Sequence, residues 1–362
     1  MEQRKYSIVH VIDTLETGGA ERVLVTLCNI FFERGHEVCV VTTLDKGPLA
    51  AQLSAGIEVK ELRRASKWNL GDMKRLVAWC RPYDIVQVHS SHNLRYLFLA
   101  TKLFGLKKRI FFHEHFGNID IDDRVRWHQK LVYPSVNLIA VSNSLYRWAI
   151  DKAKLDPKHV FVLPNTVPKL QVKEKFIGGN SVKQLVLVGN FRKAKNILFA
   201  IELMEVLVKK MQVQLTIIGQ KNDAAYYASV KENISAVNLE NNIHLLHDCT
   251  EVQQLLHQFD MAIHVANTES GPLVLIEYMA QQIPFLTYDT GEVVQQIKKD
   301  LPQFIMENFM VDAWVERIEA ILSADRYSFA EPLNNAFLKY YSEGAYYQQC
   351  LEIYKQGLLE PV

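Results

Sequence analysis

No two cysteines in the sequence stand as C-x-x-C. The five present, Cys28, Cys39, Cys80, Cys249 and Cys350, are odd in number and widely spaced. That argues against a zinc site or a disulfide framework and for a reducing cytoplasm. No apolar run approaches the ~20 residues that span a bilayer, so any membrane contact is expected to be peripheral. Met1–Lys5 leads into an ordinary strand pattern, not the apolar region of a signal peptide. Net charge is nearly absent: 41 Lys+Arg against 40 Asp+Glu leave +1, and 22% of residues are charged. This excludes extensive disorder and bulk nucleic-acid binding. The G-x-G-x-x-G dinucleotide spacing does not occur. Nor does a D-x-D fall between a strand and a loop; Asp120-x-Asp122 lies in a polar stretch and reads as surface.

What is present is apolar mass in an alternating order. With 362 residues, 49% hydrophobic, the chain can fill two domains. Strand patterns at Tyr6–Ile12, Val38–Thr42, Ile57–Leu62, Tyr83–His89, Arg109–His113, Asn137–Val141 and Val160–Leu163 alternate with helical periodicity, as at Ala20–Arg34, Gly71–Cys80 and Leu94–Phe104. The pattern lapses around Ile177-Gly178-Gly179-Asn180-Ser181 and then restarts, with strands at Gln184–Val188, Val213–Ile218, Ile243–Leu246, Met261–Val265 and Pro284–Thr287 and terminal helices at 311–323 and 344–358. The expected fold is α/β: two Rossmann-like, doubly wound parallel-sheet domains facing across a cleft. Residues 1–166 form the first domain, 167–183 a linker and 184–343 the second. Residues 344–362 form a C-terminal helix that is a candidate to pack back on the first. Residues 1–166 carry 24 Lys+Arg against 17 Asp+Glu and the remainder 17 against 23, so a basic half is joined to an acidic one.

Three segments carry chemistry. Gly18-Gly19-Ala20-Glu21-Arg22 joins the first strand to its helix; glycine admits a ligand to the backbone and a helix start offers N–H groups to an anion, although a tight turn reads the same way. Gly189-Asn190-Phe191-Arg192-Lys193-Ala194-Lys195-Asn196 follows the first strand of the second half, and its cations at a helix start suit a diphosphate or a solvated basic turn. After Met261–Val265 comes Ala266-Asn267-Thr268-Glu269-Ser270-Gly271-Pro272-Leu273-Val274-Leu275-Ile276-Glu277. Its two glutamates stand eight apart, Glu269 in a loop and Glu277 inside an apolar helical stretch. A buried carboxylate needs partners, and sugar hydroxyls are donors. The alternatives are a capping Glu269 and a solvent-facing Glu277.

In the order and spacing of these segments the chain resembles the family 4 (group 1) retaining glycosyltransferases, which have the two-domain B-type fold. Asp84–His89, Val141-Ser142, Pro164-Asn165-Thr166, Met279-Ala280 and Ile283-Pro284 extend the resemblance nearly end to end. It implies a hexose-type transferase using a nucleotide-diphosphate sugar, UDP-linked or GDP-mannose, with no cofactor and no metal. Glu269 would hold the donor sugar's hydroxyls and Glu277 the ribose. The N–H groups of Leu273 and Val274, beside Gly271, would meet the diphosphate. Lys195 would neutralise the leaving nucleotide, and Gly18 and Gly19 would admit the phosphates. The family's arginine after the glycine is Asn190 here, with Arg192 as its substitute; Ser270-Gly271 replaces the family's Gly and aromatic. In Phe112-His113-Glu114-His115-Phe116, the resemblance aligns His115 beside the donor sugar, with His113 as the alternative. H-x-H also occurs in metal sites, but no further ligands accompany it here.

The acceptor implied is a sugar or lipid-linked sugar, in cell-envelope polysaccharide or glycolipid synthesis. Arg63-Arg64, Lys67-Trp68, Lys107-Lys108-Arg109, Arg124, Arg126-Trp127 and Lys130 suit an anionic membrane on its cytoplasmic side, or a scattered surface charge. No nucleic-acid partner is expected, and the sequence sets no oligomeric state. The rival activities are a nucleotide-sugar epimerase on the same fold and a non-catalytic sugar-binding protein.

Overall fold

The structure is a computed structural model that describes residues 4–115, 122–172, 181–247, 249 and 252–359. The chain divides into two compact units, 1–166 with 343–362, and 167–342.

The first unit has seven strands: β1 (Ser7–Ile12), β2 (Glu37–Thr42), β3 (Glu58–Glu61), β4 (Ile85–His89), β5 (Ile110–Glu114), β6 (Asn137–Ala140) and β7 (Val160–Val162). Between them run α1 (Gly19–Glu33), α2 (Leu70–Cys80), α3 (Ser91–Phe104), α4 (Trp127–Val132) and α5 (Asn143–Asp151). The strands pair in parallel in the order β3-β2-β1-β4-β5-β6-β7. β4 and β5 are buried along their length because helices cover both faces of the sheet. Even-numbered positions such as Val86, Val88 and Phe112 pack with α2, α3 and α5. Odd-numbered Ile85 and Phe111 pack on the other face, with α1.

The second unit repeats the plan with β8 (Lys183–Val188), α6 (Ile197–Lys210), β9 (Val213–Ile218), α7 (Ala224–Ala236), β10 (Ile243–Leu246), β11 (Met261–His264), α8 (Leu273–Ala280), β12 (Phe285–Tyr288), α9 (Gly291–Ile297), β13 (Ile305–Met306), α10 (Val311–Ser323) and α11 (Ala330–Tyr341). Its parallel sheet runs β10-β9-β8-β11-β12-β13. In both sheets the winding reverses beside the first strand, at β1/β4 and β8/β11, where open α/β sheets leave room for a ligand at the strands' carboxyl ends.

Three details differ from the sequence reading. The proposed linker 167–183 is partly second-unit structure: Val167 lies in that unit's core, Gln253 and Gln281 donate to the carbonyls of Pro168 and Leu170 at 2.9 Å each, and Lys183 opens β8. Residues 173–180, with the Gly178-Gly179 turn, lie outside the described residues. α11 was not expected. Its Pro332 falls in the first turn, where a missing N–H costs no helix bond, but it masks the periodicity. α3 begins at Ser91 rather than Leu94 because the Ser90 hydroxyl accepts the Asn93 N–H.

The last helix, α12 (Glu343–Leu358), belongs to the first unit and joins α1 over the odd-numbered face of its sheet. Tyr347 meets His36 at 2.8 Å, Tyr354 donates to Gln87, and Asn137 donates to the Gly357 carbonyl at 3.0 Å. A Cβ on Gly357 would lie 2.5 Å from the Phe111 ring and 2.6 Å from Asn137, whereas one on Gly344 would meet nothing within 4 Å. Alanine at the two glycines of this helix should therefore act in opposite directions. Gly357→Ala should destabilise by about 1–3 kcal/mol through overpacking. Gly344→Ala should be neutral or stabilise by up to ~1 kcal/mol. Denaturant unfolding of the full chain measures both, and equal effects would contradict the packing described.

Candidate active site

At the end of β8 the chain turns sharply to meet α6. Gly219 sits so close that a Cβ on it would fall 2.1 Å from the Gly189 carbonyl. Asn190 is spent on this junction: its side-chain oxygen accepts the Gln220 N–H at 3.0 Å. The position where the family has arginine is thus a structural clamp here. The expected cations do not open α6 itself. Lys193–Lys195 form a separate single turn, and Asn196, left-handed at φ 51°, joins it to α6. Arg192 and Lys193 are exposed, while the Lys195 stem lies across Gly189, whose missing side chain leaves room for it.

Lys195 ends against Glu269, to which it donates in an ion pair whose side chains are only 12% and 10% exposed. Backbone ties hold the two segments together. Asn267 N–H donates to the Ala194 carbonyl at 2.9 Å, Glu269 N–H to the Thr290 hydroxyl at 3.3 Å, and Glu292 N–H to the Ser270 carbonyl at 2.8 Å. Gly291, at φ +81°, lies where a Cβ would be 3.1 Å from the Glu269 carbonyl and Pro272. Burial alone would raise the Glu269 pKa, but the Lys195 ammonium and the neighbouring His264 hold it well below the usual carboxylate range.

His264 escaped the sequence reading. It closes β11, fully buried, with Nδ1 3.1 Å from the Thr287 hydroxyl and Nε2 3.7 Å from Glu269. Burial lowers its pKa, against the pull of Glu269, so the ring is neutral at pH 7. The available signal was a polar residue at the carboxyl end of an otherwise apolar strand.

α8 starts at Leu273 with no capping side chain, so Glu269 is not its cap. Its first N–H groups, those of Leu273 and Val274, remain at the helix's positive end. Glu277 is buried, at 7% exposure, not solvent-facing. Lys195, Glu269, the α8 N-terminus and Glu277 thus stand on adjoining segments of one unit: a cation, an anion, a helix dipole and a second carboxylate.

In the first unit, α1 begins at Gly19 after Gly18. A Cβ on Gly18 would fall 2.1 Å from the Glu21 carboxylate, so glycine makes room there for the chain's own acid. Of the two H-x-H histidines, His113 is fully buried against Gln87 at 3.1 Å, while His115, just past β5, is partly exposed and 3.2 Å from His89. Of the two, His115 is the more accessible. Contrary to the expectation that no further ligand accompanies the H-x-H pair, strand pairing brings His89 beside it: one ring nitrogen each of His89, His113 and His115 lie within 4.8 Å of one another, the one such group among the described residues. Asp122 is ion-paired with Arg124 at 2.7 Å, as a surface residue would be, and Asp120 lies outside the described residues. Of the basic stretches, Arg63 pairs with Glu61 and Arg124 with Asp122, whereas Trp68 and Trp127 are 67% and 77% exposed.

Replacing Glu269 by glutamine leaves Lys195 facing a neutral amide in a buried setting, which should cost about 3–5 kcal/mol of stability. The folded-state pKa of Glu269 is depressed from its ordinary 4.5, so the pair's contribution is complete above that value and drains as pH falls below it. The stability gap between the native chain and Glu269→Gln should therefore narrow in acid. A gap unchanged between pH 7 and about pH 3 would contradict the pairing.

Comparison with known proteins identifies the family and the fold. The pattern described as glycosyltransferase family 4 matches residues 17–169, and that described as glycosyl transferases group 1 matches residues 172–339. EpsF of Bacillus subtilis (strain 168), assigned as a glycosyltransferase, is 21% identical over 90% of each chain. A glycosyltransferase from Rickettsia africae superposes with a TM-score of 0.81 at 20% identity, over 99% of this chain and 100% of that one. Anabaena HepE, solved with UDP and glucose, gives 0.78 at 16% identity over 96% and 98%. The chain is a group 1 glycosyltransferase of the family 4 type, built on the two-domain B-type fold.

Proposed function

We propose that the enzyme transfers a hexose-type sugar from a nucleotide-diphosphate donor, UDP-linked before GDP-mannose, to a hydroxyl acceptor, with retention and without a metal. The observation that carries the reading is the buried Lys195–Glu269 pair beside the uncapped start of α8. Lys195 and the Leu273 and Val274 N–H groups would receive the diphosphate and stabilise the negative charge that grows on it as the anomeric bond breaks. Arg192, exposed on the preceding residues, would add a further cation. The diphosphate would then share Lys195 with Glu269, leaving the carboxylate free to accept from sugar hydroxyls beside Ser270-Gly271. Glu277 would take the ribose diol. In the first unit, Gly18, Gly19 and His115 remain the candidates that the resemblance implies for contacts to phosphate and sugar. HepE was solved with UDP and with glucose, which favours a UDP-sugar, and EpsF, similar over 90% of each chain, supports a glycosyltransferase.

Calorimetric titration with nucleoside diphosphates, in EDTA and with added magnesium, tests the donor half. Glu277→Gln should weaken binding at least tenfold, the loss of a charge-assisted hydrogen-bonded partner. EDTA should change neither affinity nor turnover. Unaltered affinity in Glu277→Gln would make that carboxylate structural, and activity lost to EDTA and restored by manganese would reverse the metal-independent mechanism.

The acceptor is proposed to be lipid-linked, reached by docking of the first unit on the anionic cytoplasmic leaflet. Trp68, Leu70, Leu103, Trp127 and Leu131 of that unit are exposed, each next to Lys67, Lys102 or Lys130 or close to one of them in sequence. No described helix is long and apolar enough to cross a membrane. Co-sedimentation with anionic vesicles should be strong at low salt and lost near 1 M, where the Debye length is ~3 Å. Trp127→Ser with Lys130→Glu should reduce it without changing nucleotide affinity. Equal binding to neutral vesicles would contradict the proposal.

A further inference from the structure

Strand alternation sets a polar row on the face of the first sheet where α1 and α12 pack, the face of the even-numbered residues of β1 and the odd-numbered residues of β4 and β5. His10 of β1, Gln87 and His89 of β4, and His113 and His115 at the end of β5 all fall on it. Three of the rings are joined in series. His10 Nδ1 lies 3.2 Å from His89 Nε2, and His89 Nδ1 lies 3.2 Å from His115 Nε2. His113 stands aside, bonded to Gln87, which is itself held by Tyr354 of α12. His10 and His89 are fully buried; His115 is the end of the row that is partly exposed.

Burial lowers the His10 pKa to about 3 and that of His115 to about 4, and holds His89 well below the usual range, helped by its histidine neighbours. The three rings are therefore neutral at pH 7, each with one N–H and one lone pair. Each contact needs one of each, so the row can be protonated in only two ways. In one, His115 Nε2–H donates inward, His89 Nε2–H donates to His10, and the His10 proton is left at Nε2. That nitrogen is buried with no hydrogen-bond partner, and an orphaned buried N–H is the costlier fault. In the other, His10 Nδ1–H donates to His89 and His89 Nδ1–H donates to His115 Nε2. This leaves only an unused lone pair on His10 and puts the His115 proton on Nδ1, the nitrogen not held by His89.

We propose that His89, fixed by His10, is a positioning residue that locks His115 as the Nδ1–H tautomer, so that His115 offers its ligand a hydrogen-bond donor and not a base. The proposal rests on the reading that His115 meets the donor sugar. A donor there suits a sugar hydroxyl oxygen or phosphate oxygen and leaves proton removal from the acceptor to another group.

Histidine-labelled full-length protein gives the first test, because 15N shifts report which ring nitrogen carries the proton. The native chain, in EDTA, should show neutral His115 protonated at Nδ1; a charged or Nε2-protonated His115 overturns the proposal. The second test is kinetic. His115→Ala should lower kcat/KM for the donor about tenfold, the worth of one hydrogen bond of about 1.4 kcal/mol. His89→Leu should cause a similar loss, and none when added to His115→Ala. His89→Asn, whose amide reaches the Nδ1 position, should keep most activity, whereas His89→Gln, which reaches only the Nε2 position, should not. Additive losses, or Gln rescuing as well as Asn, would overturn the positioning role. A normal His115→Ala enzyme with the Nδ1–H signal intact would instead refute the contact between His115 and the sugar.

Discussion

A lysine and a glutamate held together out of water organise the second unit. Neither side chain of the Lys195–Glu269 pair is more than 12% exposed, so each must be answered. The surrounding backbone is arranged to do so. Gly189 clears the path for the Lys195 stem, the Asn267–Ala194 bond ties the two loops, and Gly291 lets α9 begin against the Glu269 segment. His264 closes the group from behind. Such a pair is a poor stabiliser compared with apolar packing. In the function proposed, its use would be that a diphosphate takes over part of the cation and releases the anion toward a sugar.

The two units solve the same problem with different residues. Each is a parallel sheet whose carboxyl ends collect polar groups beside the winding reversal. In the second, those groups are charged and mutually neutralised. In the first, they are neutral histidines in series, which need no counter-ion but must agree on their protons. Both are buried polar networks of the kind that fixes geometry only when every member is satisfied. α12 reaches the same face from the far end of the sequence, through Tyr354 and Gln87 to His113, beside the series.

Much of this was legible because parallel strands covered on both faces read as apolar runs and helices as 3.6-residue periods. β9 and α10 fall on their expected bounds, and most other elements within a residue or two. Glu269, Glu277 and Lys195 stood out as charges in apolar or glycine-bounded contexts. What was not legible depends on contacts between distant residues. Asn190 looked like a defect in a phosphate segment, and its bond to Gln220 across the sheet gives it another task. His10, His89 and His264 each sit in a largely apolar strand. Only pairing of β1 with β4, β4 with β5 and β11 with β12 brings them to their partners. α11 was hidden by a proline whose place in the first turn makes it harmless.

The central claim is that the second unit is built around a diphosphate. Calorimetry of UDP against UMP on the full-length enzyme and on Lys195→Ala tests it most directly. The account predicts that UDP binds the native chain at least tenfold more tightly than UMP, a difference of about 1.4 kcal/mol, and that the difference collapses in Lys195→Ala. Equal affinity for the two nucleotides in the native enzyme, or a preference for UDP that survives the loss of Lys195, would contradict it.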